Sequence, residues 1–135
     1  MKEQLSNEEK AALSVYRYQR AKETLKEIPF LKQQGFYSTA VNRLYYACYY
    51  AAIALLIKHG ISHGTHSGVK QMLGMHFVAT GLMPREVGRS FSLIFERRHS
   101  SDYDDFVYTS EEEIDDLLLK AKDFVRTVGE LLKGL

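Results

Sequence analysis

Residues 37–59 read YSTAVNRLYYACYYAAIALLIKH, and their only interior charge is Arg43. At helical spacing one stripe carries Val41, Leu44, Tyr45, Cys48, Ala52 and Leu55, while the opposite side carries Tyr46, Tyr49, Tyr50, Ile53 and Ile57. A helix that is apolar almost all round has no face to give to water, so it must lie at the centre of a bundle or be shared with a second subunit. The line through Arg43, Ala47, Tyr50 and Ala54 contains two alanines, which would let another helix approach closely. Gly60 follows as a natural C′ residue, able to take the left-handed conformation that ends a helix.

The rest of the chain supplies helices to surround it. Ser6-Asn7-Glu8-Glu9 has the form of a capping box. A helical pattern through Leu13, Tyr16, Ala21, Leu25 and Ile28 runs from there toward Gly35, with Pro29 placed to kink it. A shorter helix is expected over 67–80, closed by Gly81, and Pro84 opens another with Val87, Phe91, Ile94 and Phe95 on one face. Gly88 lies inside that helix and weakens its first turns. Tyr103 to Thr109 reads as a connection. Ser110-Glu111-Glu112-Glu113 repeats the capping-box form and starts a last helix with Ile114, Leu117, Leu118, Ala121, Val125, Val128 and Leu132. Without a hairpin signal such as Asn-Gly, the expectation is one all-α domain over 1–135, an up-and-down four-helix bundle with an additional short helix.

Composition excludes several classes of function. A net charge of +1 gives no global field to hold nucleic acid, so any such contact must be local. One cysteine, Cys48, rules out an intramolecular disulfide and a zinc cluster built on thiolates. His63 and His66 flank a glycine-containing loop, but without a neighbouring carboxylate or cysteine they are a poor metal signature. No Gly-rich phosphate loop, nucleophile elbow or His-Glu-x-x-His motif is present, so no cofactor or metal is expected. MKEQLSNEEK has no signal-peptide core, and the longest apolar run, 44–57, is shorter than the roughly 20 residues that cross a bilayer. A cytoplasmic protein without a membrane segment is expected.

The polar groups that do stand out lie in FERRHSSDYDDF, residues 95–106. Positions 87, 91, 95, 98 and 102 share one helix face, so Arg98 and Asp102 continue the Phe91 and Phe95 stripe, while His99 and Tyr103 form an i,i+4 pair on the adjoining face. Two readings follow from the spacing. One is a structural Arg98–Asp102 bridge at a helix end. The other is a polar cleft where Arg98 binds an anion and His99 and Tyr103 move protons. Asn42, Arg43 and Tyr46 on the central helix, with His66 and Arg97, are further binding candidates. The acids of 102–116 suit the start of the last helix in part; the rest would repel a phosphate backbone or offer a surface to a basic partner.

Taken together, YSTAVNRLYYACYYAAIALL, THSGV and RRHSSDY resemble the HEPN (higher eukaryotes and prokaryotes nucleotide-binding) superfamily. The likeness is to its small stand-alone prokaryotic branch, with an N-R-x-Y-Y-A helix and an R-x-x-x-D-Y element, and covers residues 20 to 130. It implies a helical bundle, a homodimer with the polar motif near the subunit interface, and a metal-independent ribonuclease of toxin type paired with a minimal nucleotidyltransferase antitoxin. In such sites an arginine is followed by a polar residue and then a histidine. Here Arg98 matches the arginine and His99 the polar residue, but Tyr103 stands where the histidine would be. Tyrosine, with a pKa near 10, is a poor base at neutral pH. The resemblance therefore implies either a ribonuclease or a non-catalytic module that binds RNA, a nucleotide or a protein through the same cleft.

Overall fold

The computed structural model describes residues 5–103 and 108–134, with the side chains of 101–103 outside that description. Every regular element among them is helical: α1 (Asn7–Leu25), α2 (Ile28–Gln33), α3 (Tyr37–Lys58), α4 (His66–Leu73) running into a π-helical turn (Gly74–Val78), α5 (Arg85–Tyr103) and α6 (Glu111–Gly134). Four long helices with two short ones bear out the all-α bundle.

The first helix ends sooner than its pattern suggests. It begins on a complete capping box, Ser6 Oγ accepting from the Glu9 amide and Glu9 from the Ser6 amide. The chain then breaks at Lys26 and Glu27, and Pro29 falls in the first turn of α2. Proline has no N–H and its ring crowds the carbonyl four residues back, so it suits the start of a helix and not its middle.

Central position is what the apolar α3 requires, and the bundle provides it. Ala40, Val41, Leu44, Tyr45, Ala47 and Cys48 are fully buried, as are Ala51, Ala52, Ala54, Leu55 and Leu56. By length and composition α3 would reach across a membrane, which corrects the shorter span read from the sequence, but 67% of its most apolar window is buried inside the bundle. The alanine line is where α1 docks: Ser14 Oγ donates to the carbonyl of Ala54 at 2.7 Å, a contact that a larger side chain on that line would prevent. Burial pushes the Cys48 thiol well above its ordinary range, so it stays protonated and serves as a small apolar side chain.

α5 and α6 close the other side through Phe91, Ile94, Phe124 and Val128, with Phe91 and Phe124 ring centroids 5.2 Å apart. Gly88 is required by packing: a Cβ there would stand 2.7 Å from Val78 Cγ2, so its absence lets the π-turn lie against α5.

Candidate functional site

The site forms where three helices meet, and each sequence motif contributes a different part. From α3, Tyr45 is fully buried and Tyr46 half-buried on adjacent faces. From α5, Arg98 does continue the Val87, Phe91, Phe95 face. Its guanidinium carbon sits 5.4 Å from the Tyr45 ring centroid and 5.8 Å from that of Tyr46, within the range of cation–π attraction. The two rings hold the cation at the edge of the core, where an arginine would otherwise be costly to place.

α4 delivers the third part. Thr65 is its N-cap, with Oγ1 accepting from the Gly68 amide at 2.9 Å. Gly64, at φ +67°, turns the chain into that cap. Gly68 has no room for a side chain, because a Cβ would lie 1.8 Å from the carbonyl oxygen of His63. Thr65, Gly64 and Gly68 thus fix the first helical residue, His66, over the tyrosines. Its Nδ1 is 2.7 Å from Tyr45 Oη, and its ring stacks on Tyr49 at 4.4 Å and 9°.

Electrostatics follow from this placement. Burial, and then the charge of Arg98, hold His66 below the ordinary imidazole pKa, so the ring is neutral at pH 7. Burial raises Tyr45, with smaller contributions from neighbouring tyrosines and an opposing one from Arg98, so its hydroxyl keeps its proton. A fixed cation, a neutral imidazole and a protonated phenol therefore share one half-buried corner.

The remaining sequence candidates fall in different places. Arg97 points away from this corner: Nε meets Glu113, while an Nη donates to Thr109 Oγ1 at 2.7 Å and to the Tyr108 carbonyl at 3.0 Å. It ties the end of α5 to the start of α6. As a consequence the second capping box is only half made, with Ser110 Oγ accepting from the Glu113 amide while the Glu113 carboxylate turns to Arg97. Arg43 pairs with Glu27 at 3.2 Å, and Asn42 is half-buried one residue before it. His99 is exposed. The Asp102 and Tyr103 side chains, and with them the Arg98–Asp102 bridge, lie outside the described residues. Asp115 and Asp116 of the acidic stretch are engaged by Lys32 and Lys120.

Sequence reasoning passed over Tyr45 and Tyr49. Tyr45 reads as core by its spacing, and it is core by burial, yet its hydroxyl is the partner of His66. A phenol in an otherwise aliphatic stripe was the available signal, since a buried hydroxyl needs a partner. Alongside the site, Lys70, Arg85 and Arg89 line a groove between the π-turn and α5, and Lys70 lies over the Phe95 ring at 5.3 Å.

Comparison with known proteins agrees with the family resemblance. The HEPN domain model matches residues 14–131. A UPF0332 protein of Thermotoga maritima is 35% identical over 127 residues, covering 94% of this chain and 96% of its own length. Two proteins of Methanocaldococcus jannaschii are also similar. "Putative toxin MJ0605" is 33% identical over 85% of each chain. "Putative toxin MJ0142" is 30% identical over 84% of this chain and 78% of its own. With its helical bundle, its match over most of its length and relatives of this similarity, the chain belongs to the HEPN family.

Proposed function

We propose that this toxin-like HEPN protein is an endoribonuclease that cleaves RNA without a metal ion and works with a nucleotidyltransferase partner that restrains it. The observation that carries the reading is Arg98 held over Tyr45 and Tyr46 beside a neutral His66. In RNA cleavage the 2′-hydroxyl attacks the adjacent phosphorus and negative charge builds on the phosphoryl oxygens. A positioned guanidinium stabilises that charge most where water is partly excluded, as in this corner. Lys70, Arg85 and Arg89 along the neighbouring groove supply a local path for phosphates, which a chain of net charge +1 needs. The toxin names of two relatives support the same direction.

The test is cleavage of a mixed RNA pool in EDTA by the wild type and by Arg98→Ala. Loss of a single transition-state donor of this kind lowers the rate by about 10²–10³-fold. A folded Arg98→Ala protein that cleaves at the wild-type rate overturns the assignment.

One observation favours a second reading, a binding module without chemistry. His66 stacked on Tyr49, with Tyr46 and Tyr50 alongside, forms an aromatic surface on which a base could stack. RNA binding by the wild type with no cleavage would select it.

A further inference from the structure

Cleavage needs a group to take the proton from the 2′-hydroxyl, and Tyr103, in the position where the resemblance implies a histidine, is a poor base. We infer that His66, brought in from the start of α4, is that proton acceptor, with Tyr45 as the positioning residue that orients its ring. This rests on the ribonuclease reading above.

Geometry carries the inference. The Nδ1 edge of His66 is committed to Tyr45 Oη at 2.7 Å, and the ring plane is set by its stack on Tyr49. Nε2 makes no hydrogen bond among the described residues and the residue is only half-buried, so it is the nitrogen left to meet a substrate. The Arg98 guanidinium lies over the same Tyr45 and Tyr46 rings that His66 contacts, and its charge acts on the imidazole, so cation and imidazole belong to one corner.

Among the described residues, the groups facing the imidazole are Tyr45, Tyr46 and Tyr49 from α3 and Arg98 from α5. Lys70 follows one turn later on α4 and pairs with Glu96 at 3.7 Å. Among the described residues no carboxylate lies within ion-pair distance of the ring. Asp102 is one turn beyond Arg98 on α5, with its side chain outside the described residues.

The step balances as follows. The 2′-O–H bond breaks and its proton goes to His66 Nε2, with Nδ1–H donating to Tyr45 Oη. The O2′–P bond forms as the P–O5′ bond breaks. The departing 5′-oxygen takes a proton from water, and the product ends in a 2′,3′-cyclic phosphate. A tyrosine hydroxyl can accept from Nδ1–H as readily as it donates to Nδ1, so the bond to Tyr45 persists in both protonation states of the ring.

The experiment compares wild type, His66→Gln, Tyr45→Phe and Arg98→Ala on RNA and on uridine 3′-(4-nitrophenyl phosphate), whose leaving group departs without a proton. Loss of a general base lowers the rate by about 10²–10⁴-fold, and His66→Gln should show this on both substrates. Tyr45→Phe should lower kcat with KM unchanged and by less than His66→Gln. Wild-type kcat/KM should be level through neutral pH and fall only below the ordinary imidazole value of 6.5, a readout that needs no variant.

Wild-type cleavage by His66→Gln with Arg98→Ala inactive overturns this inference and leaves the ribonuclease standing. Recovery of His66→Gln on the nitrophenyl substrate alone would make His66 an acid and overturn its role as base. If His66→Gln is unfolded, a wild-type rate that does not fall in acid overturns the inference. No cleavage by wild type overturns both this inference and the ribonuclease reading.

Discussion

The two sides of α3 solve burial in opposite ways. Toward α1 it presents the line of Ala47, Tyr50 and Ala54, and the contact is so close that Ser14 reaches the Ala54 carbonyl while Arg20 lies over the Tyr50 ring. Toward α4 and α5 it presents Tyr45, Tyr46 and Tyr49, whose rings hold His66 and Arg98. Small residues close a helix pair by shape. Large aromatic residues with polar tips keep the facing helices apart and leave polar groups at the boundary with water. Adjacent arginines on α5 repeat the contrast. Arg97 turns to Glu113, Thr109 and the Tyr108 carbonyl, and Arg98 turns to the Tyr45 and Tyr46 rings.

The comparison can be broken from its closed side first. Ala54→Leu adds volume where Ala54 is fully buried against α1, and overpacking of this kind costs about 1–3 kcal/mol. A large fall in melting temperature is expected, with the tyrosine corner unaffected; an unchanged Tm would show that α1 does not depend on that line.

Arg97→Ala has an effect of comparable size. It removes the partners of Glu113 and Thr109, and hydrogen bonds to a charged group are worth about 1.5–3 kcal/mol. Denaturant midpoints should fall while a folded sample keeps the RNA cleavage proposed for Arg98. Equal loss of cleavage in folded Arg97→Ala and Arg98→Ala would erase the distinction between the two arginines.

The smallest effect is on pH. His66 and His59 are both held below their ordinary pKa by burial. Below 6.5 the unfolded chain takes up protons that the folded chain refuses, so stability is full above 6.5 and declines as pH falls through the depressed folded values. Melting temperature should drop from neutral into acid, and His66→Gln should flatten part of that slope. A slope unchanged by the substitution would place the proton uptake elsewhere.

Much of the fold was legible in residue order. The helix over 37–59 had to be central or shared with a second subunit, because no face of it suits water, and Gly60 and Gly81 adopt the positive φ that ends their helices. The Ser6 box formed in full because both its partners are local. The Ser110 box did not, because Glu113 was claimed by Arg97 from another helix.

The sequence by itself determined the all-α class, the need of α3 to be covered on every face, and the arrival of Arg98 on the Phe91 and Phe95 face. These depend on periodicity and on capping residues that act within a few positions of one another. Only the tertiary structure decided that Tyr45 and His66, 21 residues apart, share a hydrogen bond, that Gly68 clears the carbonyl of His63, and that Arg97 and Arg98 part company. The reason is physical. Each of those contacts joins side chains from different helices, or packs a loop onto a helix, and such distances are set by how the helices dock and by no spacing along the chain.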